Sequence, residues 1–328
     1  MLKLGVYRTD QCIQTHGGLL AWLRRDHVDY RLLRTSSPPS PLEVKVFETI
    51  TREMQLTSGV FRTTSLGRFC DLDVWLNQIL VKQFARETEL EVQDWAASDC
   101  ITSAAWHERL TEVFPRVRLT ASDLNLHLIE MHVTGQGSYV FEATGGVLQF
   151  IAPPFVVRLN PPEPRRLCVN RILAWWAQAR LERLRREYKI DPAVMAFPDG
   201  VKEVRRGPLV FRRIPLIHPQ AIRLSRATGS FRIEQHSVFE PANRPAHVIR
   251  TMNILNRGYF ESALLDCGAR SAWWSLVPGG IWIVGRTMQE APPIHHVSVL
   301  RKSGNGFELL ERNVEKSEIE HLALALKI

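Results

Sequence analysis

The spacing of apolar residues along the chain predicts two kinds of region. Up to about residue 88, apolar residues recur at intervals of three and four, which is typical of amphipathic helices, and segments 42–56 and 71–87 show this most clearly. A break at 36–41, SSPPSP, contains three prolines, which exclude regular structure there. The pattern predicts a helical N-terminal cap over residues 1–88.

From Leu90 the pattern changes to short apolar runs that alternate with amphipathic segments, which is typical of strands joined by crossover helices. The segment 89–328 is therefore predicted to be an α/β domain. Its predicted strands are 89–95, 117–121, 231–235, 247–252 and 281–284, its predicted helices are 103–114, 219–226 and 259–276, and a predicted hairpin, 297–302 and 306–312, follows.

Residues 128–213 interrupt this rhythm. They contain a possible hairpin in GSYVFEATGGVLQFIAPPFVVRLNPP and a basic amphipathic helix at 166–188. Because the α/β scaffold does not need this insertion, we expect it to determine substrate specificity. The tryptophan pairs at 175–176 and 273–274 lie on predicted helices, where we expect them to belong to the core.

Composition narrows the class of protein. The chain has 328 residues, of which 45% are apolar, and this is enough for a large core in one or two domains. Its five cysteines are odd in number and widely separated, without a CxxC pair or a His/Cys cluster at metal-ligand spacing. There is no leader pattern and no window of about 18 apolar residues. We expect a reduced, cytoplasmic protein without a metal site or a transmembrane segment, and the oligomeric state is not indicated.

The net charge of +8 is concentrated in one part of the chain. Residues 165–213 contain 13 Lys and Arg against 5 Asp and Glu, so the remainder is close to neutral. Such a local excess is typical of a solvated helix face, or of a surface that attracts nucleic acid or an anionic membrane. Both interpretations stay open.

Five segments in the order of the predicted strands carry a family resemblance. They are VQDWAASDCITS (92–103), VRLTASDLN (117–125), FRIEQHSVFEP (231–241), AHVIRTMNILNRGYF (246–260) and WWSLVPGGIWIVGRT (273–287). Together they resemble the class I S-adenosylmethionine-dependent methyltransferases, and the last two are distantly similar to the chemotaxis-receptor methyltransferases.

The resemblance implies a Rossmann-like, seven-stranded, mostly parallel sheet with helices on both faces, a helical N-terminal cap and a long insertion after the second strand. It implies S-adenosyl-L-methionine as the cofactor and transfer of its methyl group to an acceptor by in-line displacement. The acceptor is not identified, although the apolar segment Val147–Val157, interpreted as a loop, favours a small or lipid-like molecule. No catalytic residue is predicted.

Parallel sheets bind ligands beyond the carboxyl ends of their strands, where the predicted cofactor contacts lie. A carboxylate at the end of the second strand can accept two hydrogen bonds from a ribose diol, which favours Asp123 for that role; its alternative role is a helix N-cap. The contacts that the resemblance implies are Asp94, Ala96, Ala97, Ser98, Asp99 and Thr102 for the aminoacyl part, Asp123 and Leu124 for the ribose, His236, Ser237 and Val238 for the adenine, and Asn253 near the transferred methyl group.

The segment after Asp94 lacks the glycines of a cofactor-binding turn, and the small residues Ala96, Ala97 and Ser98 stand in for them. We expect Thr102 or Ser103 to cap the helix that follows. The missing glycines leave an alternative, a catalytically inactive binding or scaffold protein of this fold. A methyltransferase that acts on nucleic acid is the other alternative. Asn253 is equally compatible with a structural strand end.

Overall fold

The computed structural model describes residues 4–13, 27–57, 59, 62, 64–85, 87, 89–162, 168–190, 197, 201 and 203–328. The chain forms two compact units, each built from two segments. The antiparallel unit consists of Met1–Thr63 and Asn125–Pro219, and the parallel unit consists of Thr64–Leu124 and Gln220–Ile328. Among the described residues, none of the helices has the length and apolar character to cross a membrane.

Strands and helices are numbered separately, each in chain order. The strands are β1 (Gly5–Val6), β2 (His27–Val28), β3 (Leu90–Trp95), β4 (Val117–Asp123), β5 (His127–Val133), β6 (Gly137–Glu142), β7 (Val147–Ala152), β8 (Phe155–Arg158), β9 (Glu203–Arg206), β10 (Leu209–Pro215), β11 (Phe231–Gln235), β12 (Ala246–Met252), β13 (Leu276–Glu290), β14 (Pro293–Ser303) and β15 (Gly306–Asn313). The helices are α1 (Thr9–Ile13), α2 (Pro41–Glu53), α3 (Cys70–Gln83), α4 (Ile101–Val113), α5 (Val169–Tyr188), α6 (Pro219–Ala227), α7 (Ser262–Ser275) and α8 (Glu320–Ala325), and Tyr30–Leu33 forms a 3₁₀ turn.

The parallel unit contains a seven-stranded sheet in the order β11-β4-β3-β12-β13-β14-β15. Its first five strands pair in parallel, whereas β14 and β15 pair antiparallel with their neighbours. The α/β class is therefore confirmed, and the seven strands form a mixed sheet in which four of the six neighbouring pairs are parallel. The antiparallel end follows from the short connections, since strands joined by tight turns pair antiparallel whereas parallel strands need a crossover.

Side chains alternate between the two faces of β3 and β12, and different helices cover those faces. On one face Asp94 and Arg250 contact residues of α3 and α4. On the other face Trp95 and Ile249 join an apolar cluster with Leu265 and other residues of α7. Helices therefore lie on both faces of this part of the sheet.

The antiparallel unit contains a six-stranded sheet in the order β8-β7-β6-β5-β10-β9, with every neighbouring pair antiparallel. One face of this sheet packs against α5 through Leu181 and Phe141. The other face packs against α2 through Phe47 and Leu128. Helix α2 begins sharply after the proline-rich break, because Ser40 and Glu43 form a capping box.

This division differs from the predicted one, in which residues 1–88 form a separate helical cap and 128–213 an insertion. Residues 1–63 belong with 125–219, and α3, which lies within 64–88, belongs to the parallel unit. The reason is that α2 buries its apolar face on the sheet of the insertion. Amphipathic spacing shows that a helix has a partner, but it does not say which segment the partner is.

The apolar segment Val147–Val157 is not a ligand-binding loop. It forms β7 and part of β8, and the side chains of Leu148, Phe150, Ile151 and Val156 are buried in the cores of the antiparallel unit. Both faces of this sheet are covered, so both sets of alternating side chains are apolar. This segment therefore no longer supports the prediction of a small or lipid-like acceptor.

The prediction that both tryptophan pairs belong to the core is wrong for three of the four residues. Trp175 and Trp176 on α5 are exposed, as is Trp274 on α7. Trp273 is partly buried and packs against the core of the parallel unit. Helix α5 therefore has one apolar stripe, with Leu181 and Leu184, that packs on the antiparallel sheet, and a second, with Ile172 and Trp175, that is exposed. Within the basic segment 165–213, residues 165–167, 191–196, 198–200 and 202 lie outside the described residues.

Candidate functional site

The chain between β3 and α4 makes a tight turn with three residues in the left-handed backbone region. Ala96, Ser98 and Cys100 have φ angles of 55°, 57° and 64°. A left-handed conformation costs a residue with a Cβ about 1–2 kcal/mol, a cost that glycine does not bear. The turn therefore keeps, at alternate positions, a backbone conformation that favours glycine, although it contains no glycine.

Asp123, at the end of β4, contacts this turn directly. The Ser98 N–H donates to Oδ2 of Asp123 at 2.8 Å, and the Ala97 N–H donates to the carbonyl oxygen of Ser122 at 2.8 Å. The turn after Asp94 and the carboxylate at 123 are thus in contact, as the ends of neighbouring parallel strands are expected to be. The alternative role of Asp123 as a helix N-cap is wrong, because the next element is strand β5.

Helix α4 begins differently from the prediction. Oδ1 of Asp99 accepts the Ile101 N–H at 3.1 Å, so Asp99, rather than Thr102 or Ser103, satisfies a donor of the first turn. Asp99 is 2% exposed and Thr102 is 5% exposed. Both predicted contacts are therefore part of the helix start, with little side-chain surface for a ligand.

Asp94 neutralises a buried arginine. Nε of Arg250 donates to Oδ1 of Asp94 at 2.9 Å, Nη2 of the same guanidinium donates to Oδ2, and the Ser103 hydroxyl donates to Oδ2 at 2.6 Å. Arg250 is fully buried. The strand alternation directs Asp94 towards α4 and away from the face of Trp95. This geometry conflicts with the prediction that Asp94 holds the aminoacyl part of a cofactor.

Two further residues complete this network. Nη1 of Arg250 donates to Oδ1 of Asp73 on α3 at 2.8 Å, and Nη1 of Arg109 donates to Oδ2 of Asp73 at 2.7 Å. The guanidinium carbon of Arg250 lies 4.1 Å from the centroid of the Trp106 ring. Two arginines and two aspartates balance in charge, which buried ions require. We call these four residues, 73, 94, 109 and 250, the buried arginine network.

Burial also changes the acidity of this network. Desolvation raises the pKa of Asp73 from 3.8 to about 6. The positive charges of Arg250 and Arg109 oppose this rise, because they favour the ionised carboxylate. The carboxylate of Asp94 adds to the rise by repulsion. The titration of Asp73 therefore contributes to the pH dependence of the stability of the parallel unit.

His236 lies next to Asp123 at the end of β11. Its backbone N–H donates to the carbonyl oxygen of Asp123 at 3.3 Å, and its ring centroid is 4.9 Å from that of Trp95. Burial lowers the pKa of His236, which keeps the imidazole neutral at pH 7. Among the described residues, Nε2 of His236 and the hydroxyl oxygen of Ser122 are buried polar atoms without a hydrogen-bond partner.

A groove of about 170 Å³ lies beside these two atoms. Its lining includes side chains from one face of β3, β4 and β11, where Gln93 pairs in register with Thr120 and Thr120 with Arg232. The connection between β11 and β12, residues 236–245, contains no helix, and Arg232 and Glu234 are exposed. The groove is therefore polar and open, and Ser122 and His236, whose buried polar atoms have no hydrogen-bond partner in the described part of the chain, are among its lining residues.

The other predicted residues of this region have local roles. The Ser237 hydroxyl accepts the Phe239 N–H at 3.3 Å, and Val238 is 7% exposed within the apolar cluster that contains Ile249. Leu124 is 46% exposed. Of the three residues predicted to contact adenine, His236 lines the groove, whereas Val238 belongs to the core and Ser237 shapes the loop.

Asn253, at the end of β12, has a φ of 63°. Its side-chain oxygen accepts the Thr287 N–H at 2.6 Å, and its backbone N–H donates to the Gly285 carbonyl at 2.8 Å. The amide therefore ties the end of β12 to β13, which supports the structural alternative for this residue. Asparagine adopts the left-handed region more readily than most residues with a Cβ.

Sequence reasoning missed Arg250 and Trp95. Arg250 interrupts the apolar run AHVIRTM, and a charge inside a buried strand requires a counter-ion, so its presence was a signal that a nearby carboxylate is structural. Trp95 adjoins Asp94 on the opposite face of β3 and supplies the ring beside His236.

No protein-family model and no curated protein matches this chain. Solved structures do match it. One is an S-adenosylmethionine-dependent methyltransferase from Clostridium acetobutylicum, with 10% identity, a TM-score of 0.32, and coverage of 77% of this chain and 76% of that one.

Two further matches, at 10% identity and a TM-score of 0.30, are methyltransferases that act on sugars. They are the sugar N-methyltransferase KedS8 from Streptoalloteichus, covering 80% of this chain and 83% of that one, and the S-adenosylmethionine-bound amino pentose methyltransferase CalS10 from Micromonospora echinaspora, covering 79% and 81%. Structural matches with TM-scores near 0.3 define neither the cofactor nor the acceptor of this chain.

Proposed function

We propose that this chain is an S-adenosylmethionine-dependent methyltransferase whose cofactor binds at the carboxyl ends of β3, β4 and β11. The observation that carries the proposal is the contact between Ser98 and Asp123, at 2.8 Å, because it brings the turn and an acidic strand end together. An ionised carboxylate accepts about four hydrogen bonds, so one group can hold the turn and bind a ribose diol.

The groove lined by Ser122 and His236 supports a place for the adenine; Asp123, which follows Ser122 in the chain, does not itself line it. The hydroxyl of Ser122 and Nε2 of His236, the unpartnered buried atoms described above, can bond to a planar base with donors and acceptors along its edge. The Trp95 ring lies behind the imidazole and keeps it in place. In this proposal Asp94 and Val238 are structural and do not contact the cofactor.

When bound, S-adenosylmethionine supplies a methyl group on a positively charged sulfonium. The contribution of the protein is to hold the adenosyl part and to align an acceptor for in-line displacement. Since segment 147–157 is part of the core, it does not support the small or lipid-like acceptor expected from the sequence, and the transfer assay below is needed to identify the acceptor. A nucleic acid acceptor is the alternative class, which the arginines of α5 favour.

A second candidate function is a binding protein of this fold without catalysis. Two observations favour it: Asp94 is fully engaged by Arg250 and Ser103, and the turn contains no glycine. Because of these two features, the chain lacks contacts that the resemblance implies for the aminoacyl part of the cofactor.

Thermal unfolding with and without cofactor, followed by a transfer assay, separates these functions. A ligand that binds the folded state must raise the melting temperature. S-adenosylmethionine labelled on its methyl group is then incubated with the protein and with cell extract separated into lipids, small molecules, nucleic acids and proteins. Label in one fraction identifies the acceptor class. No stabilisation at millimolar cofactor rejects the methyltransferase and favours the binding or scaffold protein, and stabilisation without transfer to any fraction favours a binding protein that still holds the cofactor.

A further inference from the structure

Helix α5 of the antiparallel unit has a second apolar stripe that faces solvent. Val169, Ile172, Trp175 and Trp176 are 47%, 67%, 69% and 46% exposed. Spacings of three and four residues group them on the side of the helix away from Leu181, which is buried in the core. The Trp176 ring, at the edge of the group, also contacts Phe150 of that core at a centroid distance of 5.7 Å. Large apolar side chains grouped in this way on a surface mark an interaction site rather than a solvated face.

Arginines surround this stripe. Arg171, Arg183 and Arg186 are exposed, and the guanidinium carbon of Arg180 lies 5.2 Å from the centroid of the Trp176 ring. The helix has two acidic residues, Glu182 and Glu187, and both lie in its C-terminal half. The apolar stripe in the N-terminal half is therefore bordered by positive charge, in the most basic segment of the sequence.

An open groove of about 480 Å³ runs beside the stripe. Trp175, Trp176, Arg183 and Glu187 line it from α5, Val133 lines it from the end of β5, and Pro208 lines it from the turn before β10. Apolar and cationic side chains thus meet along one surface, which suits a partner that presents anionic groups above an apolar layer.

We propose that this outer face of α5, defined by residues 169, 171, 172, 175, 176, 180 and 183, binds the surface of an anionic lipid bilayer. The proposal does not depend on methyl transfer. Trp side chains favour the interface between head groups and acyl chains, and Arg side chains attract anionic head groups. The aliphatic Val169 and Ile172 gain free energy on leaving water for a bilayer, whereas they can neither stack on bases nor contact phosphates. A helix of this kind lies in the plane of the interface.

Co-sedimentation of the full chain with phosphatidylcholine vesicles, with and without phosphatidylserine, tests the proposal. We expect binding that requires phosphatidylserine and weakens as salt is raised. The double variant Ile172→Glu/Trp175→Glu should bind at least about tenfold more weakly, because two apolar anchors are lost. Trp274→Glu is the matched control, since Trp274 is 56% exposed on α7 of the other unit, and it should bind like the wild type.

Because both substituted residues are exposed, unchanged thermal unfolding verifies that the double variant is folded. Arg171→Gln/Arg183→Gln provides a second test, because it should lower the dependence on phosphatidylserine while the apolar stripe remains. The proposal would be overturned if the protein bound both kinds of vesicle equally or bound neither kind. It would also be overturned if the double variant bound vesicles like the wild type, or if the same residues bound single-stranded RNA while the protein did not bind vesicles. A dimer that Trp175→Glu dissociates, without vesicle binding, would assign the stripe to self-association instead.

Discussion

Asp94 and Asp123 end neighbouring strands of one sheet, yet their surroundings differ. Asp94 points into the face covered by α3 and α4, where Arg250 and Ser103 hold it. Asp123 lies one strand away and accepts a main-chain N–H of the turn. Both carboxylates are buried. The comparison shows that the position of an acidic residue at a strand end does not decide its role; the partner that its side chain meets does.

The largest expected effect is the loss of the buried arginine network. Arg250→Met leaves Asp94 and Asp73 without their shared cation, and breaking a buried ion pair on one side costs about 3–5 kcal/mol. Urea denaturation measures the change in the free energy of unfolding. Arg270→Met is the control, because Arg270 pairs with Asp266 on the surface of α7 and should cost less than about 1 kcal/mol. Equal costs for the two variants would contradict a structural role for Asp94.

The next effect concerns pH. Burial raises the pKa of Asp73 to about 6, so between its ordinary pKa and that value the folded state binds a proton that the unfolded chain does not bind. The contribution of Asp73 to stability therefore falls as the pH rises from about 4 to about 6, by roughly 2–3 kcal/mol.

The free energy of unfolding, measured across this pH range for the wild type and for Asp73→Asn, checks the prediction. The wild type should gain stability relative to the variant as the pH is lowered through this window. Asp71→Asn is the control, since Asp71 is exposed on the same helix and should show no such change. A difference that stays constant with pH would show that Asp73 remains ionised throughout.

The smallest effect is expected in the turn. Glycine at position 96 or 98 removes the cost of a left-handed Cβ but increases the freedom of the unfolded chain, so either substitution should stabilise by at most about 1 kcal/mol. At position 100 the Cys side chain is fully buried, and its loss opposes this gain. Ala97→Gly is the matched control, because Ala97 lies in the same turn without a positive φ, and it should destabilise. Destabilisation by glycine at positions 96 and 98 as well would mean that side-chain packing, and not backbone conformation, determines the turn.

Much of the parallel unit could be predicted from the sequence. The strands predicted at 89–95 and 231–235 are observed at Leu90–Trp95 and Phe231–Gln235. In these two strands apolar and polar residues alternate, and the helices between the strands carry apolar residues at helical spacing, so each element leaves a local signal. The contact between the turn and Asp123 follows from the same reasoning, because neighbouring parallel strands end at one edge.

The antiparallel unit could not be predicted in the same way. One hairpin was visible in the sequence, whereas β5 pairs with β10 across a long insertion and α2 packs on the same sheet from far along the chain. Such partners leave no local pattern. In the site, the sequence placed Asp94 at a strand end but did not reveal its partner, although Arg250 within an apolar strand indicated a buried counter-ion.

The most direct test of the central claim is a calorimetric titration of S-adenosylhomocysteine into the wild type and into Asp123→Asn. The asparagine oxygen can still accept the Ser98 N–H, so the turn is kept while the charge is lost. The account predicts saturable binding by the wild type and binding about tenfold to a hundredfold weaker by the variant, because hydrogen bonds to a charged acceptor are lost. Asp266→Asn, on the surface of α7, should bind like the wild type. No heat with the wild type at millimolar ligand, or equal affinity for Asp123→Asn, would contradict the assignment of Asp123 and the turn to one adenosyl site.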